Sequence, residues 1–255
     1  MIKFFRKIRQ NLLSEGKTGK YLTYALGEII LVVIGILIAL WINNRNTLNA
    51  ERKIEKTYLE ALKSEFETNL EALNETIKLN EGLVKQLDEL LSFFEEEKLG
   101  RLSSKEVAKT IGGALKYEVF YNPSTGVQTD IISSGNLKQL SDQDLRQRIA
   151  SFGNTLKEIQ RQENRAVTSR NDLGDYITEK ISLRVIFEAV GNKVSGNSEF
   201  ANADVKQLFK SMPIENNLIL YQSISKTTNM VYYESLKKDI ETILEIIAKE
   251  LNPKK

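Results

Sequence analysis

The sequence has no cysteine, no histidine and only three prolines in 255 residues. Without cysteine there is no disulfide framework, no thiolate nucleophile and no Cys-based zinc site. Without histidine, the side chain that most often serves as a general acid or base near neutral pH is missing too. Carboxylate chemistry survives these absences, including an all-carboxylate metal site. No EF-hand loop, P-loop or GxGxxG run is present. The missing cysteines leave the redox compartment open, because a cysteine-free chain can live on either side of a membrane. No segment alternates apolar and polar residues at period two for long enough to be read as a strand. Pro123, Pro213 and Pro253, set among abundant Leu, Ile, Glu, Lys and Gln, leave room for long unbroken helices. With 41% hydrophobic and 27% charged residues the chain reads as globular rather than disordered.

The net charge of +2 conceals a partition. Residues 1–20 carry Lys3, Arg6, Lys7, Arg9, Lys17 and Lys20 against a single acid, Glu15. Residues 21–42 carry no lysine or arginine and one acid, Glu28. Residues 43–255 hold 30 basic and 32 acidic side chains. This divides the chain into a basic head (1–20), an apolar span (21–42) and a mildly acidic body (43–255). A 22-residue helix reaches roughly 33 Å, close to the hydrocarbon thickness of a bilayer. Tyr21, Tyr24 and Trp41 lie near its ends, where amphipathic rings favour the headgroups. By the positive-inside rule the head is expected in the cytoplasm and the body outside it. A cleaved signal peptide is the rival reading, but the apolar run is long for a signal core and Ala39-Leu40-Trp41 is a poor cleavage site. The expectation is an uncleaved signal anchor with the body exported.

Met1, Phe4, Phe5, Ile8 and Leu12 fall on one helical arc of the head, and Lys3, Arg6, Lys7 and Gln10 on the other. That pattern suits an interfacial helix whose cations meet anionic headgroups, with Trp41 anchoring the far interface. Nucleic acid is not expected as a partner. Within the span, Tyr24, Glu28, Gly35 and Ala39 share one stripe, and Gly35-x-x-x-Ala39 permits close helix approach. Glu28 then reads as a protonated or tyrosine-bonded acid packed against a second helix. It can also be read as exposed through local bilayer thinning, or as an ion-linked carboxylate of a motor-type subunit.

From Thr47 to about Glu97 there is no proline and one glycine, Gly82. Leu59, Leu62, Phe66, Leu70, Leu73, Ile77, Asn80, Val84, Leu87, Leu91 and Phe94 form a helical seam, with Asn80 as a register-setting polar residue. If this helix outruns its neighbours, Leu59, Leu62, Phe66 and Leu70 become a seam for a second copy of the chain. Ser103 to Glu106 forms a capping box opening a short helix that ends near Tyr117. Asn122-Pro123 reads as N-cap and first residue of the next helix, which Gly135 ends. Ser141 and Asp144 open a long run whose apolar positions are Leu145, Ile149, Phe152, Leu156, Ile159, Ala166, Leu173, Ile177 and Ile181, and which continues to about Val190. A polar loop fills 191–203, and Asp204 caps a short helix ending before Pro213. A final helix runs from about Glu215 to Leu251, with Leu218, Ile224, Val231, Leu236, Ile240, Ile243 and Ile247 inside. The fold class expected is all-α: a transmembrane helix followed by an elongated antiparallel bundle with coiled-coil-like long helices.

Two blocks, "MIKFFRKIRQNLL…KYLTYALGEIILVVIGILIALWINN" and "SSGNLKQLSDQDLRQRI" (133–149), resemble a family of uncharacterised bacterial inner-membrane proteins classed as a domain of unknown function. The resemblance implies an N-terminal anchor and a helical exported domain, and it implies no activity. In the second block the turn at Ser133, Ser134, Asn136 and Lys138 reads as a helix stop and restart, and Arg146 and Arg148 as partners of Asp142 or Asp144.

No cofactor, metal ligand set or catalytic residue stands out, and no enzyme is expected. The function expected is an interaction or assembly factor held at the membrane, self-associating and engaging an envelope protein. A small-ligand sensory module working through a partner and a motor- or channel-associated subunit using Glu28 are the alternatives.

Overall fold

The computed structural model describes residues 18–116 and 118–252. The head residues Lys3, Phe4, Phe5, Arg6 and Lys7 lie outside the described residues, as do Tyr117 and the side chains of Tyr21 and Tyr24. The described residues form eight α-helices and no strand: α1 (Thr18–Ser92), α2 (Glu96–Gly100), α3 (Ser104–Leu115), α4 (Gly126–Ser133), α5 (Gln143–Lys180), α6 (Leu183–Ala189), α7 (Met212–Thr227) and α8 (Glu234–Leu251). Three short 3₁₀ turns, Asn136–Gln139, Glu199–Asn202 and Val205–Lys210, sit between them, and a π-helical turn, Thr228–Tyr233, joins α7 to α8. The fold is all-α.

The chain divides into two compact units, one ending at Thr57 and the other beginning at Tyr58. In the first unit, α1 is long and apolar enough to cross a membrane, and none of its most apolar window is buried by the chain itself. Leu26 through Ile42 present exposed Leu, Ile and Val side chains, the surface that water penalises and lipid does not. By length and composition such a helix can serve as a membrane anchor or a signal sequence.

The second unit is a helical bundle. Phe66 of α1 meets Phe152 of α5 edge to face at 4.9 Å, and further along Leu90 and Leu173 line one apolar cavity. Thus α1 and α5 run in the same direction, and the short elements between Glu96 and Gln139 carry the chain back. The α7–α8 run is antiparallel to α5, with Arg148 bonded to Asp239 at 3.1 Å and Gln162 reaching the carbonyl of Ile224.

Local rules account for most boundaries. Ser103 and Glu106 form the expected capping box. Gly135 adopts φ 72°, the left-handed conformation that ends α4. Asp142 caps α5 by accepting from the Leu145 N–H at 2.8 Å. Three expectations are corrected. The helix after Pro123 starts at Gly126 instead; residues 118–125 lie outside any helix, and Glu163 and Asn69 take the backbone N–H groups of Tyr121 and Ser124. The long α5 run stops at Lys180; Ile181 is extended and buried, and α6 turns back onto α3. The last helix is not uniform, since the π-turn inserts one extra residue. This rotates Val231 out to solvent and brings Tyr233 fully inside.

The α3–α6 packing depends on one glycine. A Cβ at Gly112 would lie 2.6 Å from Val190 Cγ1 and 3.2 Å from Ile186 Cγ2. Gly112→Ala is expected to destabilise by roughly 1 kcal/mol, overpacking outweighing the gain in helix propensity. In a Val190→Ala background the same change should become stabilising. Denaturant unfolding of the two single variants and the double variant reads that reversal of sign.

Candidate functional site: a buried polar belt around Glu163

Two apolar clusters fill the second unit. Leu59, Leu62, Phe66, Leu73, Ile149, Phe152, Ile159, Tyr233 and Leu236 belong to one; Leu83, Leu87, Leu90, Ile111, Leu173, Ile177, Leu208 and Leu218 to the other. Between them the chain buries polar side chains at the same level of all three long runs: Thr76 and Asn80 from α1, Gln162, Glu163 and Ser169 from α5, and Ser225 and Thr228 from α7 and the π-turn. Buried polar groups need partners, and the belt supplies them across helices. Asn80 Nδ2 donates to the carbonyl of Ser225 at 2.8 Å and to Asn229 Oδ1 at 2.7 Å. Thr228 Oγ1 donates to the carbonyl of Ile224 at 2.8 Å and accepts from Gln162 Nε2 at 3.4 Å. Among the described residues the hydroxyls of Ser169 and Ser225 have no hydrogen-bond partner.

Glu163 is the belt's one charged residue, 2% exposed. Its Oε1 accepts from the Tyr233 hydroxyl at 2.7 Å and the Tyr121 N–H at 2.8 Å. Tyr121 in turn donates its hydroxyl to the carbonyl of Asn69 at 3.1 Å. Burial pushes the Glu163 carboxyl above its ordinary value, and the two hydrogen bonds pull it partly back. Burial also raises Tyr121, and it raises Tyr233 further with the help of the Glu163 charge beside it. Tyr221, across the same space, is pushed up to about 12, mainly by burial. The space these groups enclose, bordered by Asn80, Glu118, Glu163, Arg170, Tyr221 and Thr228, has room for a single water. Arg170 pairs with Glu118 at 3.5 Å and donates to the carbonyl of Leu115 at its edge. Glu118 and Glu163 are two carboxylates on one cavity, but a space of that size admits no glycoside.

A second polar cluster holds the segment leading into α4. Glu65, 7% exposed, accepts from Ser124 Oγ at 3.0 Å and from the N–H groups of Val127 at 2.9 Å and Gln128 at 3.0 Å. Asn69 grips the backbone of Ser124 at both ends, donating to its carbonyl at 2.7 Å and accepting from its N–H at 2.8 Å. Gln128, buried, donates to the carbonyl of Ile149 at 2.8 Å.

The residues singled out in the sequence fall elsewhere. Glu28 is half-buried, and Gly35 and Ala39 are exposed, with nothing within 4 Å of a Cβ built at Gly35. Trp41 is exposed and carries Arg45 over its ring at 5.3 Å, a cation–π pair. The seam proposed for a second copy is corrected. Leu59, Leu62 and Phe66 are buried in the chain's own core, and Leu70 is half-buried against it. Asn80 is buried and paired, as a register-setting residue should be. Beyond it the fully buried row is Leu83, Leu87, Leu90 and Phe93, while Leu91 and Phe94 are half-buried and pack against the same core. Asn136 of the 133–138 turn donates to the Tyr58 hydroxyl at 2.7 Å. Arg148 pairs with Asp144 at 3.1 Å as expected, whereas Arg146 donates to the carbonyls of Leu140 and Ser141 rather than to an acid.

The sequence model of a family of unknown function (DUF6090) matches residues 28–159, just over half of the chain. The chain belongs to DUF6090. No curated protein matches it, and no solved structure does. The DUF6090 match takes in Glu28, the Glu65–Asn69 cluster and the block 133–149, and it ends just before Gln162 and Glu163.

Proposed function

We propose that this DUF6090 chain is a single-pass membrane protein whose span stays uncut and whose helical domain works outside the cytoplasm as an interaction or assembly module. One observation carries the reading: α1 supplies both the exposed apolar span and the first core helix. Cutting near the end of the span would therefore sever a continuous helix rather than a linker. The charge partition of the sequence gives the direction, with the cations before the span retained in the cytoplasm. Catalysis is not part of the reading: the space at the buried carboxylate has room for a single water and none for a substrate.

Self-association, if it accompanies this role, is assigned to the span rather than to the body. The apolar row from Leu59 onward is consumed within the chain, while Gly35 and Ala39 remain open. An envelope protein is the expected second partner. The cysteine-free background makes the test direct. A single cysteine at Phe200, which is 62% exposed, should react with an impermeant maleimide applied outside intact spheroplasts. A cysteine at Ala39 should yield a self-adduct on oxidation, and one at Leu62 should not. Protection of residue 200, or a mature chain lacking its first forty residues, would overturn the proposal.

A further inference from the structure

Glu163 has a feature that the belt does not use. Both of its hydrogen bonds end on Oε1; Oε2 accepts from no described residue. Oε2 is not among the polar atoms of the described residues that are sealed from solvent without a partner, so it is open to the spaces that Glu163 borders, where a donor can reach it. There are two such spaces. The inner one has room for a single water. The outer one is an open groove of about 400 Å3 between the non-helical segment 120–125 and α5. Its walls are mixed: Phe120, Pro123, Leu156 and Ile159 are apolar, Asn122, Thr125 and Gln160 polar, and Lys157 and Glu163 are its two charged groups. Lys157 is exposed and solvated, whereas Glu163 is 2% exposed. An opposite charge meeting the buried group therefore gains more than one meeting the exposed one.

We propose that Glu163 is the floor of a binding site for a small organic cation that carries N–H donors, with the ligand's apolar body lying along the groove beside Phe120 and Leu156. The ammonium or guanidinium supplies the missing donor to Oε2 and offsets the buried charge. The aromatic wall suits the cation and the body behind it. Lys157 repels such a ligand from the rim and limits its affinity. The proposal is independent of the membrane topology and of any assembly role.

Benzylammonium is a suitable probe, with benzyl alcohol as its neutral counterpart. Calorimetric titration would use the full chain in phosphatidylcholine nanodiscs, with empty nanodiscs as baseline. Wild type should bind benzylammonium and not benzyl alcohol. Glu163→Gln keeps an acceptor for Tyr233 and Tyr121, so it should fold normally by circular dichroism yet bind about tenfold or more weakly. Lys157→Ala should strengthen binding roughly two- to fivefold, a gain that a purely structural Glu163 does not produce. Heat no greater than that of empty nanodiscs would overturn the site, meaning that Oε2 meets only water. Equal binding of the alcohol, or unchanged binding in Glu163→Gln, would overturn it as well.

Discussion

Glu163→Leu is expected to destabilise the helical domain by about 3 kcal/mol or more. The leucine removes the acceptor of two buried donors, the Tyr233 hydroxyl and the Tyr121 N–H. Each donor left without a partner costs about 1–3 kcal/mol, and Tyr233 is fully buried. Glu163→Gln retains an amide oxygen at the same place and should keep most of the stability. Denaturant unfolding of the full chain in detergent micelles, followed by circular dichroism, separates the two variants. Equal stability of the leucine and glutamine variants would show that the belt does not hold the bundle together.

The same carboxyl sets a pH dependence whose sign is fixed by its burial. Glu163 titrates above 4.5 in the folded chain because burial disfavours its charged form. A carboxyl raised on folding lends stability that is complete below its unfolded value and is lost as pH climbs through its folded value. Wild type should therefore lose stability relative to Glu163→Gln as pH rises from 4.5. Glu106 is held low by the N–H and hydroxyl of Ser103, and Asp204 by the Ser104 hydroxyl and then the Lys206 N–H; both act in the opposite sense, losing stability as pH falls. They are common to both proteins and cancel in the comparison. The charged groups bordering Glu163, namely Glu118, Arg170 and Lys157, are unchanged between the two as well.

What was legible in the sequence followed from short-range physics. Helical periodicity, the Ser103–Glu106 box, the Gly135 stop and the Asp204 cap depend on residues within a few positions of one another, and the fold repeats them. What was missed depends on contacts between distant segments. Pro123 looked like the first residue of a helix, but Asn69, more than fifty positions away, takes both backbone groups of Ser124 and keeps it out of the helix. Val231 fitted the apolar period, but the π-turn shifts the register so that Tyr233 goes inside instead. The belt left a trace that periodicity alone could have flagged. The apolar rows of α5 and of the last run each skip one repeat, between Ile159 and Ala166 and between Ile224 and Val231, and Asn80 interrupts the row of α1. Three interruptions in three long helices mark one layer once the helices are laid side by side. That Glu163 is the charged member with an unused oxygen depends on the tyrosines at 121 and 233, which no spacing in the chain connects.

The second large effect is expected at Glu65. The N-cap of α4, Thr125, makes no side-chain capping bond, and the N–H groups of Val127 and Gln128 are satisfied instead by the Glu65 carboxylate from α1. Here a helix start is capped by a residue about sixty positions earlier in the chain, and the negative charge also complements the helix dipole. Glu65→Ala is expected to cost about 2–4 kcal/mol, since two backbone donors and Ser124 Oγ lose their acceptor together. Glu65→Gln should fall between, because one amide oxygen cannot replace both carboxylate oxygens. Adding Thr125→Asp to Glu65→Ala should restore little, since the backbone there, at φ −132° and ψ 19°, lies outside the extended geometry of an N-cap. Hydrogen exchange locates the damage. In Glu65→Ala the amides of residues 126–134 should lose protection while those of α8 keep theirs. Loss spread evenly over both would mean that α4 is held by its apolar contacts and that the carboxylate contributes little.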